Sequence, residues 1–105
     1  MKHSKLFIFA IMTTLAVSGC KHQAATYPTD TLTTKNGSQL TITFFKHASL
    51  AIETEGRHIY IDPISQYADY ASLPKADLIL ITHSHYDHLD SAAVAAAGGQ
   101  YLRGY

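Results

Sequence analysis

The segment ILITHSHYDHLD, residues 79–90, joins a short apolar run to a dense group of metal-binding side chains. The aliphatic run DLILIT, residues 77–82, is typical of a strand buried on both faces of a sheet. Four possible metal ligands follow it within six positions: His83, His85, Asp87 and His88. We therefore predict a buried strand that delivers these ligands into the loop at its C-terminal edge, a place where ligand sites are common.

The spacing of the four residues suggests how they could share metal ions. Residues two apart point to the same side of an extended chain, so His83 and His85 can converge on one ion. Asp87 and His88 are adjacent and, after a bend, can reach a second ion. Imidazole and carboxylate are ligands that zinc accepts, with iron or manganese as alternatives. The alternative is a polar loop without a metal site, in which the histidines cluster by chance.

The flanking sequence predicts an α/β fold that begins with antiparallel strands. Asn36-Gly37 lies between two β-prone runs and predicts a tight hairpin with positive φ at both positions. Residues 49–53 and 57–62 predict a second pair of strands joined by a turn that ends at Gly56. Residues 63–75 have no clean period and predict a loop, with a short helical turn near Tyr67–Tyr70 as an open alternative.

A short helix is predicted directly after the histidine loop. Asp90 can cap it, residues 91–97 can form it, and Gly98-Gly99 would end it. Residues 100–105 have no recognisable pattern. The predicted order is therefore an antiparallel meander, a buried strand, a metal-binding loop and a short helix.

Composition limits the class of protein. The 105 residues allow one domain at most. Eight basic and eight acidic residues cancel, which argues against a nucleic-acid partner. A hydrophobic fraction of 47% with 15% charged residues favours a packed domain over a disordered chain.

The N-terminus predicts a lipoprotein signal peptide over residues 1–19. A basic start precedes the apolar run 6–17, which is too short to span a bilayer comfortably. Small residues then precede Cys20, the one cysteine of the chain, as in a bacterial lipobox. We expect lipidation of Cys20, a tether over residues 20–30, and a domain over residues 31–105 anchored in the bacterial cell envelope, facing the periplasm or the exterior. The alternative is an ordinary secretory signal with an incidental cysteine.

The sequence also resembles a known family. THSHYDH, residues 82–88, matches the T-H-x-H-x-D-H hallmark of the metallo-β-lactamase fold. KHASLAIETEGRHIYIDP and KADLILITHSHYDHLD, which begin at Lys46 and Lys75, resemble the branch that includes ascorbate-6-phosphate lactonase-like zinc-dependent hydrolases. The resemblance covers about residues 40–91 and implies the N-terminal half of an αββα sandwich.

The resemblance implies roles for individual residues. His83 and His85 would bind the first of two zinc-type ions, and Asp87 and His88 the second. Asp87 would also orient the metal-bound hydroxide that attacks an ester, lactone or phosphoester substrate. Asp62, at a strand end, would support the ligands from behind. His47 would line the cleft, although a partly buried histidine with a structural role is the alternative.

The sequence departs from the family after His88. The family uses later histidines and a later acid to complete its two sites, and residues 89–105 contain no histidine. The family domain is typically about 200 residues, near the upper end for a single domain. We expect a truncated gene product, with self-association as the alternative route to a complete site. The competing functions are a weak or inactive hydrolase, a non-catalytic metal-binding lipoprotein and an inert fragment.

Overall fold

The computed structural model describes residues 26–104 as one six-stranded sheet with a single helix on one face. The elements are β1 Thr29–Thr33, β2 Gln39–Lys46, β3 Ser49–Thr54, β4 Arg57–Ile61, β5 Leu78–Ile81, α1 Ser91–Ala97 and β6 Leu102–Arg103. The strands lie side by side in chain order. The first four are antiparallel, whereas β4, β5 and β6 run parallel. This confirms the predicted meander, strand, loop and short helix.

The turn between β1 and β2 differs from the turn between β3 and β4, and the prediction for the first was wrong in detail. Gly37 has a φ of 90°, whereas Asn36 is not among the residues with positive φ. The N–H of Gly37 donates to the carbonyl of Thr34 at 2.9 Å, closing a four-residue turn whose last residue is the left-handed glycine. This longer loop, Thr34 to Ser38, needs only one left-handed residue.

The tight two-residue hairpin occurs instead between β3 and β4. Glu55 and Gly56 have φ values of 51° and 75°, so both central positions are left-handed. That conformation matches the twist of the flanking strands and pairs Thr54 directly with Arg57. The register that follows places Tyr60 opposite Ala51 and fixes which side chains face the core.

The core lies between one face of the sheet and α1. The fully buried side chains include Tyr60 on β4, Ile79 and Ile81 on β5, and Val94 on α1. Tyr70, from the loop that links β4 to β5, packs edge-on against Tyr60 with ring centroids 5.3 Å apart. The predicted loop at residues 63–75 therefore has no helix or strand, yet it contributes a core residue.

The opposite face of the sheet carries rows of aliphatic side chains that are only partly covered by the described residues. One row runs across four strands through Ile42, Ile52, Ile59 and Leu78. On β5, Ile79 and Ile81 are buried, whereas Leu78 and Leu80 are half-buried. The expectation that β5 is buried on both faces is therefore wrong for the described part of the chain, because α1 covers one face alone.

The described residues include some that lie before the predicted boundary at residue 30 and belong to the sheet or pack against it. β1 starts at Thr29, and the ring of Tyr27 packs edge-on against Phe45 at 4.7 Å. At the other end, Leu102 and Arg103 form an edge strand in a segment without a recognisable pattern. The predicted signal peptide and Cys20 lie outside the described residues. Within residues 26–104, no helix is long and apolar enough to cross a membrane.

Candidate metal centre

The site is built where the parallel strands β4 and β5 end next to each other. In their register Ile61 pairs with Leu80, and the N–H of Asp62 donates to the carbonyl of Leu80 at 2.9 Å. Asp62 therefore follows β4 at the level where Thr82 follows β5. Because parallel strands end at one edge of the sheet, the aspartate of one strand meets the first residues of the histidine loop.

The Asp62 carboxylate is the buried centre of this edge. Its side chain is fully excluded from solvent, and three groups face its two oxygens. Oδ1 accepts the N–H of Thr82 at 2.7 Å, and Oδ2 accepts the Thr82 hydroxyl at 2.6 Å. Oδ2 also lies 2.7 Å from Nδ1 of His88. Hydrogen bonds of this kind satisfy a buried carboxylate that would otherwise be very costly to desolvate.

The backbone at Asp62 is left-handed, with a φ of 47°. A residue with a Cβ rarely adopts this conformation, and holding it costs on the order of 1–3 kcal/mol. The surrounding bonds keep the residue there, and the Ser49 hydroxyl adds to them by donating to the Asp62 carbonyl. The turn at Asp62 aims its carboxylate at Thr82 and His88 instead of continuing β4.

The histidine loop folds back on itself after His85. The carbonyl of His85 accepts the N–H groups of both His88 and Leu89 at 2.9 Å. This turn carries the His88 ring beneath that of His83, with ring centroids 3.8 Å apart. The loop is therefore a compact turn, not the extended stretch from which the side-chain directions were first predicted.

Three of the predicted ligands converge in this turn. The donor atoms of His83, His85 and Asp87 all lie within 4.8 Å of one another, and all three residues are exposed. Two zinc bonds of about 2.1 Å allow ligand atoms to be at most ~4.2 Å apart. Small rotations of exposed side chains would close that difference. Two imidazoles and one carboxylate are also a donor set that suits zinc, so the residues fit a metal ion.

His88 lies beside this group. Its Nδ1 is engaged with Asp62, while its Nε2 lies 3.6 Å from Oδ2 of Asp87. Sequence spacing paired His83 with His85 and Asp87 with His88. The structure groups Asp87 with both exposed histidines and places His88 against Asp87 as well. The assignment of individual ligands to a first and a second ion remains a prediction.

Asp90 connects the histidine loop to the rest of the fold. As predicted, it caps α1, since its Oδ1 accepts the N–H groups of Ala92 and Ala93 at 3.0 and 3.3 Å. Its Oδ2 accepts the N–H of Ser65 at 2.8 Å. Partial burial acts to raise the pKa of the Asp90 carboxyl, but these hydrogen bonds outweigh it and hold the pKa below its ordinary value.

Comparison with known proteins now decides the family. A sequence profile described as a beta-lactamase superfamily domain matches residues 41–102, more than half of the chain. The chain belongs to the beta-lactamase superfamily. The matched residues include every strand from β3 to β5 and the whole histidine loop.

Relatives in this superfamily carry related names. The chain is 50% identical over 60 residues to a UPF0173 metal-dependent hydrolase of Flavobacterium johnsoniae, covering 51% of the chain and 27% of that protein. It is 41% identical over 64 residues to the Bacillus pumilus UPF0173 metal-dependent hydrolase, covering 57% and 28%. The chain thus spans little more than a quarter of the length of these curated relatives.

A solved structure supports the same fold. A provisionally assigned metal-dependent hydrolase from Parabacteroides distasonis superposes with a TM-score of 0.70 at 47% identity, covering 72% of this chain and 36% of that one. The predicted α/β class, as the N-terminal half of the superfamily fold, is therefore confirmed.

Thr82 and His47 also lie at or near the candidate site. Thr82 was not singled out from the sequence, although its hydroxyl is central. It donates to Asp62 and lies 3.3 Å from Nδ1 of His83 and 3.2 Å from Nδ1 of His88. The position of a hydroxyl residue directly between a buried strand and the first histidine was the sequence feature that could have indicated Thr82.

His47 is exposed at the turn between β2 and β3, and its ring lies 5.4 Å from that of Tyr67.

Proposed function

We propose that this chain carries the N-terminal metal-binding part of a metal-dependent hydrolase that cleaves an ester, lactone or phosphoester. The observation that carries the proposal is the convergence of His83, His85 and Asp87 within 4.8 Å. The names of the relatives support the reaction class, since they are metal-dependent hydrolases. A zinc-type centre of two ions is the form that the resemblance implies.

Bound metal would supply a hydroxide nucleophile at neutral pH and would stabilise the negative charge that develops on the substrate. The chain's own residues have distinct tasks. Asp62, through its 2.7 Å contact with Nδ1 of His88, fixes the ring so that Nε2 is left to face the site. Thr82 fixes the Asp62 carboxylate in turn.

Asp87 is the residue that we propose to act nearest the reacting atoms. Its side chain is about half exposed and lies beside both the exposed histidines and Nε2 of His88. A carboxylate in that position can accept a hydrogen bond from an attacking water and orient it. His47 remains a proposed cleft residue, and its exposure at the β2–β3 turn leaves its ring accessible to a substrate.

Metal binding by matched variants tests the site. The full chain is dialysed against zinc, manganese or ferrous iron, and bound metal is measured by elemental analysis. We expect His85→Ala to weaken binding at least ~10–100-fold, the loss typical even of residues that only support a ligand. His58→Gln, a histidine outside the cluster, should bind as the natural chain does. Equal binding by His85→Ala would refute the site.

Turnover tests the reaction class separately. Aryl esters, simple lactones and aryl phosphodiesters are offered to the metal-loaded chain. We expect metal-dependent release of hydrolysis products that is lost in Asp87→Asn.

The alternative function is metal binding without catalysis. The solvent exposure of His83, His85 and Asp87 favours it, because exposed ligands exchange metal readily. Binding that depends on His85 without turnover of any substrate would establish the alternative.

We also propose that the protein is held in the bacterial cell envelope by a lipid on Cys20. The support is the apolar run at residues 6–17 and the small residues before the cysteine. Expression in a bacterial host followed by membrane fractionation tests this. Cys20→Ala should move the protein out of the detergent-soluble membrane fraction, and no change would contradict the anchor.

A further inference from the structure

A second concave site lies at the other end of β4 from Asp62. It is a cavity of about 200 Å³ on the α1 side of the sheet, where His58 lies near the start of β4 and Glu53 lies opposite it on β3. The aromatic rings that line it belong to Tyr27, Phe45 and Tyr60. None of these residues belongs to the histidine cluster, so the cavity is separate from the metal centre.

The aromatic side chains of the cavity are held in place by hydrogen bonds and by ring packing. The Tyr60 hydroxyl donates to the carbonyl of Pro74 at 2.6 Å, and the Tyr27 hydroxyl donates to the carbonyl of Tyr67 at 3.0 Å. Phe45 is held edge-on between Tyr27 and Tyr70, with centroids 4.7 and 5.7 Å away. Both hydroxyls are already engaged. The half-buried rings of Tyr27 and Phe45 therefore supply most of the aromatic surface that a ligand could reach, since Tyr60 is only 2% exposed.

The charge of the cavity is negative. Glu53 is the one acidic residue in its lining, and the lining contains neither lysine nor arginine. The nearest partner of Glu53 Oε2 is His58 Nδ1 at 3.5 Å, too long for a strong hydrogen bond. More than half of the Glu53 side chain is exposed, so its carboxylate is accessible at the rim. The negative charge of Glu53 also raises the pKa of the Tyr60 hydroxyl, after the larger effect of burial.

We propose that this cavity binds a small organic cation, an alkylammonium ion with a compact apolar body. Aromatic ring faces attract cations, and the attraction strengthens where water is excluded. The carboxylate of Glu53 would pair with the cation at the rim. The volume of about 200 Å³ is below the ~300–1,000 Å³ of pockets for drug-sized ligands, which suits a small ion.

Choline and its uncharged carbon isostere, 3,3-dimethylbutan-1-ol, are matched probes for this site. Each is titrated into the isotope-labelled full chain, kept in solution by an uncharged detergent, while amide shifts are followed by NMR. We expect saturable shifts at Ala51, Glu53, His58 and Tyr60 with choline. The isostere should bind at least ~5-fold more weakly, which corresponds to a cation–π contribution of about 1 kcal/mol. Equal affinity, or shifts confined to the histidine loop, would overturn the proposal.

Two matched glutamate variants provide a second test of cation binding in the cavity. Glu53→Gln keeps the size of the side chain and removes its charge, and we expect a loss of choline affinity of at least ~5-fold. Glu55→Gln makes the same change at the neighbouring turn, outside the cavity lining, and should bind as the natural chain does. Melting curves of both variants show that each is folded. Unchanged affinity in a folded Glu53→Gln chain rules the site out.

Discussion

Oδ2 of Asp62 lies 2.7 Å from Nδ1 of His88, so a fully buried carboxylate at the end of β4 holds a histidine from the loop that follows β5. The two residues are separated by 26 positions in the chain. The Asp62 carboxylate holds the histidine loop at two points, since the Thr82 hydroxyl donates to the same oxygen. The geometry of the proposed metal centre therefore depends on a residue that does not belong to the histidine motif.

Asp62→Asn should weaken metal binding without unfolding the chain. The amide matches the carboxylate in size but offers one acceptor oxygen to the donors of Thr82 and His88. We expect metal affinity to fall ~10–100-fold, as for other residues that orient a ligand. Stability in chelator should fall by ~1–3 kcal/mol, because buried donors lose their partner. Competition with a chromophoric chelator measures the affinity, and thermal melts measure the stability.

The matched control for this prediction is Asp30→Asn, the same substitution on the exposed strand β1. It should leave both affinity and stability unchanged. Undiminished metal affinity in Asp62→Asn would show that the contact with His88 does not organise the ligands.

Thr82→Val should destabilise the same edge of the sheet more than Thr82→Ser does. Valine keeps the shape of threonine but removes the hydroxyl that donates to Asp62 Oδ2 at 2.6 Å. The backbone N–H to Oδ1 stays in both variants. We expect Thr82→Val to lose ~1–3 kcal/mol in the free energy of unfolding and Thr82→Ser to lose less than half as much. Urea titrations measure both losses, and an unchanged stability in Thr82→Val would show that the hydroxyl bond to Asp62 does not stabilise this edge.

The sequence predicted the elements well where a pattern reports directly on side-chain environment. Alternation in β2 and the aliphatic run of β5 specified strands, and Asp90 with Gly98 marked the ends of α1. Contacts between residues distant in sequence were harder to predict. The contacts of Asp62 with Thr82 and His88 depend on the parallel register of β4 and β5, which no local sequence pattern encodes. The family resemblance supplied Asp62, and Thr82 was missed.

Turn details and burial were the weakest predictions, for physical reasons. Asn36-Gly37 favours a two-residue turn locally, but the observed loop binds Thr34 to Ser38 and needs only Gly37 to be left-handed. The run at β5 reads the same whether one or both faces are covered. Only the placement of α1 shows that Leu78 and Leu80 stay half-buried in the described part of the chain.

Two tyrosines of the core should respond in opposite directions to loss of the hydroxyl. Tyr60 donates to the Pro74 carbonyl at 2.6 Å, so Tyr60→Phe should lose ~0.5–1.5 kcal/mol of unfolding free energy. The Tyr70 hydroxyl is buried and makes no hydrogen bond of good geometry within the described residues, although the Ile64 backbone and the Ser49 hydroxyl lie near it. Tyr70→Phe should therefore leave stability unchanged or raise it. Calorimetric melts of the two variants decide this, and a large loss in Tyr70→Phe would reveal an unrecognised partner.

Stability should decline at alkaline pH because of the same two tyrosines. Burial raises the pKa of both hydroxyls above the ordinary value, and Glu53 adds to the effect at Tyr60. Below about pH 10 both groups are neutral in the folded and unfolded chain, and their contribution to stability is complete. Above it the unfolded chain ionises first, so unfolding becomes easier as the pH rises. Urea titrations between pH 8 and 11 should show a shallower decline in Tyr70→Phe, and an unchanged slope would contradict this origin.

The capping carboxylate of α1 offers the last test, because the helix has only seven residues and cannot be stable by itself. Asp90→Ala removes both the cap and the acceptor for Ser65, and we expect a loss of at least ~0.5–2 kcal/mol with a weaker helical circular dichroism signal. Asp90→Asn keeps an oxygen for the cap but places an amide group toward the Ser65 N–H, so its loss should be intermediate. If both variants lose the same amount, the bond to Ser65 outweighs the cap, and α1 is held mainly through the loop after β4.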